Sequence, residues 1–188
     1  MTIAIVPGHG GRNRGTQAGG FDEADWVLEF GHELARKCVG FWPHLRTELI
    51  RRTDIHLGLT QAARLCESYQ AAIALVLHVD SCPGLTGGSV YIMHGQEVLT
   101  RAGCAVLNAY PEELRPRRPT PWQLRRGERG WQRAARNILV PYLDAGVPAL
   151  LCELYYASSP RDCIAANEGD VRERLCLALM AGVSVALA

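Results

Sequence analysis

Four side chains stand where they could do chemistry: His9, Glu23, His78 and Glu153. His9 lies in Pro7-Gly8-His9-Gly10-Gly11, where glycines let the backbone turn sharply and leave the imidazole uncovered. His78 falls near the end of the apolar run AAIALVLHV and is followed by Asp80 and Ser81. Glu153 interrupts a second apolar run, ALLCEL. A carboxylate inside a buried strand is costly unless it is paired, bound to a metal or protonated. Glu23 opens a helical pattern. Singly, each has an ordinary reading: a loop histidine, a core histidine bonded to a carbonyl, a carboxylate at a helix start. The glycines around His9 match neither GxGxxG nor GK[ST], so a phosphate cradle has weak support. Together the set says more. Two histidines and one carboxylate form the three-ligand set of a catalytic zinc site, which keeps one position open for water. A remaining glutamate would serve that water as general base.

Such groups need elements to bring them together. Thr2–Val6 is a short apolar run bounded by Pro-Gly and reads as a buried strand. Asp22 is a plausible N-cap for a helix carrying Val27, Leu28, Leu34 and Cys38 at helical spacing. Strands are expected at Leu45–Ile50, Ala71–Val79, Gly88–Met93, Arg136–Val140 and Ala149–Leu154, and helices at Thr60–Tyr69, Gln96–Tyr110 and Asp170–Leu187. Alternation of this kind implies an α/β fold with a mostly parallel central sheet flanked by helices. In such sheets the site lies outside the carboxyl ends of the strands. His9, His78 and Glu153 stand at those ends.

The composition agrees with a globular chain. Its 188 residues are 48% hydrophobic and 21% charged, with a formal net charge of +1. That length fits one domain, expected to span 1–188. The balance of charge gives no support for a nucleic-acid or membrane partner. The apolar C-terminal stretch is too short for a span, which needs about 20 residues. All the basic residues but Lys37 are arginines. Seven cysteines, none in a C-x-x-C, read as reduced thiols used as small core residues. Residues 111–130 hold four prolines and are the least regular part. The arginines at 115, 117, 118, 125, 126, 129, 133 and 136 could grip anionic groups or form a solvated face. Arg52 and Asp54 are expected to pair and fix the loop ahead of the second helix.

The motifs resemble those of the zinc-dependent N-acetylmuramoyl-L-alanine amidases of the Amidase_3 family. IAIVPGHGG is similar to the family's strand plus D-P-G-H-G-G, and GFDEADWVLEFGHELARK to its glutamate-bearing helix. ELIRRTDIHLGLTQAARLCESYQAAIALVLHVDS resembles its T-R-x-x-D, L-x-x-R and S-I-H-A-N succession, and VPALLCELYYASSPRD its P-A-V-L-V-E segment. The resemblance implies a sheet of about six strands. It implies that His9, Glu23 and His78 bind Zn²⁺ and that Glu153 is the catalytic glutamate. Val6 replaces the usual aspartate before Pro-Gly-His, and Asp80 the asparagine after the third ligand.

The implied reaction is hydrolysis of the amide between N-acetylmuramic acid and L-alanine in peptidoglycan. A non-catalytic peptidoglycan-binding module and a zinc peptidase cutting the stem peptide are the alternatives. The opening MTIAIVPGHGG has neither the basic region nor the long apolar run of a secretory signal, so none is expected. That expectation and the thiols favour a phage or prophage lysin, made in the cytoplasm and acting on the wall after release. It is expected to work as a monomer without a separate wall-binding domain.

Overall fold

The computed structural model describes residues 1–18, 21–92, 97–115, 124–126 and 132–188. A six-stranded sheet forms its centre. The strands are β1 (Thr2–Pro7), β4 (Arg46–Leu49), β5 (Ala71–Asp80), β6 (Ser89–Ile92), β7 (Leu124–Arg126) and β8 (Ala149–Tyr156), in the order β4-β1-β5-β8-β6-β7. Every neighbouring pair is parallel except β6 with β8. A two-residue ribbon, β2 (Gln17–Ala18) with β3 (Phe21–Asp22), stands apart between β1 and the first helix.

β5 is apolar on both faces because both faces are covered. Ile73, Leu75, Leu77 and Val79 enter one core cluster, and Ala74 and Val76 the other. The first cluster lies under α1 (Glu23–Phe41), α3 (Glu97–Asn108) and α6 (Gly169–Leu187). The second lies under α2 (Leu59–Ser68) and α4 (Gln132–Asp144). The short α5 (Pro160–Asn167) follows β8, capped by Ser159, whose hydroxyl accepts from Asp162 N. Among the described residues no helix is long and apolar enough to cross a membrane.

The α/β class and the mainly parallel sheet match the sequence expectation, and five of the six expected strands are present. The exception is Arg136–Val140, which lies in α4. Ile, Leu and Val ahead of Pro141 look like a strand ending at a breaker. Instead Leu139 and Tyr142, three residues apart, both turn into the core, as a helical period requires. The sixth strand is β7, inside the segment read as irregular.

All seven cysteines are free thiols, but only Cys38, Cys66, Cys152 and Cys176 are buried; Cys82 and Cys104 are exposed. Burial pushes the Cys38, Cys66 and Cys176 thiols up to about 12, so these three are inert fillers.

Candidate metal centre

β1 delivers His9 to the carboxyl edge of the sheet. Gly8 N donates to Leu77 O at 2.9 Å and carries the β1–β5 ladder one residue further. The His78 imidazole lies directly over Gly8. A Cβ built at position 8 would stand 2.5 Å from that ring, so only glycine fits. His9 itself adopts φ 58°, in the left-handed region. For a residue with a side chain this costs about 1–3 kcal/mol and persists only where the surroundings impose it. A tight turn imposes it here: Gly10 N donates to Asn13 O at 2.7 Å, and Asn13 N returns to Gly10 O at 3.2 Å.

Asn13 also orients the ring. Its Oδ1 lies 3.0 Å from His9 Nδ1 and accepts from Gly15 N at 3.2 Å. An amide oxygen can only accept, so His9 Nδ1 carries the proton. A neutral His9 then aims its Nε2 lone pair outward. That Nε2 faces Glu23 Oε1 at 3.1 Å. Two lone pairs cannot share that line without a positive charge, either a ring proton or a bound cation.

Glu23 is held as firmly. Asp22 caps α1 as the sequence suggests, accepting from Asp25 N at 3.1 Å. That cap sets Glu23, only 2% exposed, at the first helical position. Its Oε2 accepts from Thr16 N at 2.7 Å. Its Oε1 accepts from Val79 N at 2.9 Å and lies 3.1 Å from His78 Nδ1. Burial alone would raise this carboxyl, but the bonds from His78 and His9 outweigh it and hold it well below the usual carboxylate range. Burial likewise pulls the His9 imidazole down, and the bond and charge of Glu23 more than reverse it.

His9, Glu23 and His78 thus converge, with one ligand atom from each lying within 4.8 Å of the others. Two imidazole nitrogens and a carboxylate oxygen, already sharing a line that demands positive charge, fit a divalent cation. Glu153 is outside this trio but next to it. It sits opposite His78 in the β5–β8 register and opposite Ser89 in the β6–β8 register. Its Oε2 is sealed from solvent and has no hydrogen-bond partner among the described residues. Burial, with Asp80 and Glu23 nearby, pushes its carboxyl well above the usual range.

Sequence reading missed three supports. Asn13 orients His9. Arg14 bonds both oxygens of Asp22 at 2.8 and 2.9 Å and both of Asp54 at 2.8 Å, and also pairs with Asp25. Arg51 is fully buried behind the site. The expected Arg52–Asp54 pair is absent: Arg52 bonds Glu48 at 2.9 Å, while Asp54 takes Arg14 and Gly11 N. Of the arginines expected to grip anions, Arg115 turns back on Tyr110 O. The side chains of the other seven lie outside the described residues. Val6, where the resembling family has aspartate, is packed in the core instead.

An open groove of about 1080 Å³ has Asp22 in its lining but none of His9, Glu23, His78 and Glu153. Phe21, Trp26 and Glu29 line one side; Ala157, Ile164 and Asn167 line the other.

A mainly parallel α/β sheet with a His-Glu-His cluster at its carboxyl edge defines a candidate metallohydrolase. More specifically, the chain belongs to the Amidase_3 family, N-acetylmuramoyl-L-alanine amidase, whose model matches residues 3–185. Among solved structures it is similar to an N-acetylmuramoyl-L-alanine amidase of Clostridium difficile 630, with TM-score 0.80 and 19% identity, covering 99% of this chain and 96% of that one. It is also similar to amidase AmiC2 of Nostoc punctiforme, with TM-score 0.77 and 20% identity, covering 98% and 95%. In sequence it is 28% identical over 107 residues to the probable amidase AmiB of Haemophilus influenzae, across 55% of this chain and 24% of that protein. It is 31% identical over 95 residues to amidase CwlM of Bacillus licheniformis, across 50% and 37%. The matches therefore span well under half the length of these relatives.

Proposed function

We propose that this chain is a zinc-dependent N-acetylmuramoyl-L-alanine amidase that cuts the bond between the lactyl group of N-acetylmuramic acid and L-alanine. The observation that carries this reading is the convergence of His9 Nε2 and His78 Nδ1 on Glu23 Oε1, with Glu153 on the adjoining strand. Zinc held by His9, Glu23 and His78 would supply Lewis acidity, polarising the scissile carbonyl and acidifying water.

The chain's own residues do the rest. Glu153 takes the proton of the attacking water and passes it to the leaving nitrogen of L-alanine as the C–N bond breaks. Burial raises the Glu153 carboxyl above its usual range, the direction that helps it keep the proton taken from water until the leaving nitrogen receives it. Asn13 and Val79 keep the ligand atoms oriented.

The test is digestion of purified peptidoglycan with analysis of both products. Stem peptides with free L-alanine amines and intact glycan support the amidase. Cuts between amino acids indicate a peptidase, and unchanged peptidoglycan in the presence of stoichiometric zinc indicates a binding module. We further infer a lysin role, with synthesis in the cytoplasm and action on the wall after release; seven free thiols in one small chain support folding in a reducing compartment.

A further inference from the structure

Arg51 has no solvent exposure. Arginine is almost never fully buried unless it is paired, because its charge must leave water. Yet the nearest carboxylate oxygen, Asp54 Oδ1, is 4.0 Å away, beyond hydrogen-bond reach. The guanidinium spends its donors on backbone carbonyls instead. Nη2 donates to Ala24 O at 2.7 Å and to Gly8 O at 2.9 Å. Nε donates to Pro7 O at 3.3 Å, and Nη1 to Thr53 O at 3.3 Å.

Those carbonyls are not a random set. Gly8 immediately precedes His9, and Ala24 immediately follows Glu23. One nitrogen of Arg51 therefore ties together the two peptide segments that carry two of the three ligands. The Gly8 carbonyl also belongs to the peptide leading into the left-handed His9, where an imposed conformation needs an anchor. Only a planar fork can reach four carbonyls on three segments at once; an ammonium on the same stem is a point donor.

We propose that Arg51 is a positioning residue that sets the spacing of His9 and Glu23 and thereby tunes metal affinity. The inference rests on the reading of His9, Glu23 and His78 as a metal site, but not on which amide the enzyme cuts.

The variants are Arg51→Lys, which keeps the charge and loses the fork, and Arg51→Met, which keeps much of the volume and loses every donor. Two readouts are needed. The first is zinc affinity by competition with a chromophoric chelator. Groups that orient metal ligands typically change affinity by about 10- to 100-fold when removed, so Arg51→Met should fall in that range and Arg51→Lys between it and wild type. The second is amide hydrogen exchange in the zinc-free protein. The Gly10 and Val79 amides, which close the His9 turn and bond Glu23, should exchange at least tenfold faster in the variants. The inner amides of β5 should stay within twofold of wild type. A general structural role would speed both sets together. If Arg51→Met does not fold, Arg51→Lys carries both measurements.

Zinc affinity unchanged in a folded variant overturns the proposal, as does equal acceleration of site and core amides. Wild type that binds no zinc overturns the metal reading, and the exchange data still decide whether Arg51 holds the two segments.

Discussion

His78 and Glu153 face each other across neighbouring parallel strands, paired in register on β5 and β8. Paired positions in a parallel ladder send their side chains to the same face of the sheet. One ligand candidate and the proposed proton carrier are thereby fixed on rigid elements rather than on loops.

That pairing separates metal binding from turnover. Glu153→Gln keeps the shape and removes the proton exchange. It should bind zinc like wild type and lose about 10²- to 10⁴-fold in kcat, the usual worth of a positioned acid–base group. Zinc content by atomic absorption and single-turnover digestion of peptidoglycan check the two halves. Loss of zinc in this variant would make Glu153 a ligand instead.

The histidines should behave the opposite way. His9→Ala and His78→Ala should each lose stoichiometric zinc and, with it, all measurable hydrolysis. Chelation of the wild type should do the same reversibly, with activity restored by added zinc. Activity that survives chelation would remove the metal from the reaction.

Gly8 gives a steric test. The Cβ of Gly8→Ala would lie 2.5 Å from the His78 ring, and the ring has strands on both sides. The imidazole must shift, which disturbs its 3.1 Å approach to Glu23 Oε1. Thermal or urea unfolding should show a loss of about 1–3 kcal/mol, the usual cost of overpacking, and zinc affinity should drop with it. Wild-type affinity in this variant would show that His78 is free to move.

Asp162 predicts a pH dependence away from the metal. Its side chain is fully buried, and Oδ2 accepts from Gly87 N at 2.7 Å and Tyr156 N at 3.4 Å. Burial raises its carboxyl above 3.8 despite those bonds. The unfolded chain therefore loses this proton first as pH rises. Its contribution to stability is present below 3.8 and declines as pH climbs through the raised folded value. Asp162→Asn should flatten that decline in urea-unfolding measurements. Asp162→Ala should instead cost about 1–3 kcal/mol at every pH, because the Gly87 amide is left unsatisfied.

The candidate site residues were legible in the sequence because each stands at a punctuated strand end or helix start, or interrupts an apolar strand. His9 has its glycines, His78 its long apolar run, Glu23 its capping Asp22, and Glu153 an apolar strand that it interrupts. Two of the supports, Arg14 and Arg51, were not legible because their meaning lies in distances along the chain, whereas Asn13 acts only four residues from His9. Arg14 reaches Asp54 forty residues away, and Arg51 reaches Gly8 forty-three residues away. Nothing local marks Arg51 as buried, since arginine ordinarily reads as surface. The helix at 132–144 was hidden by Pro141, which usually ends such a pattern. α5 carried a signal, Ser159 before Pro160, but its eight residues are too few to show a period.

The strand order also sets an order of assembly. β4 and β5 flank β1, and with α1 these strands bring in all three candidate ligands within the first 80 residues. β6 follows next in the chain, yet its partners are β7 and β8, both made later. The far half of the sheet must wait for β8 to slot in beside β5, and β8 is the strand that brings Glu153. A growing chain can therefore gather its candidate metal ligands before it owns the proposed proton carrier.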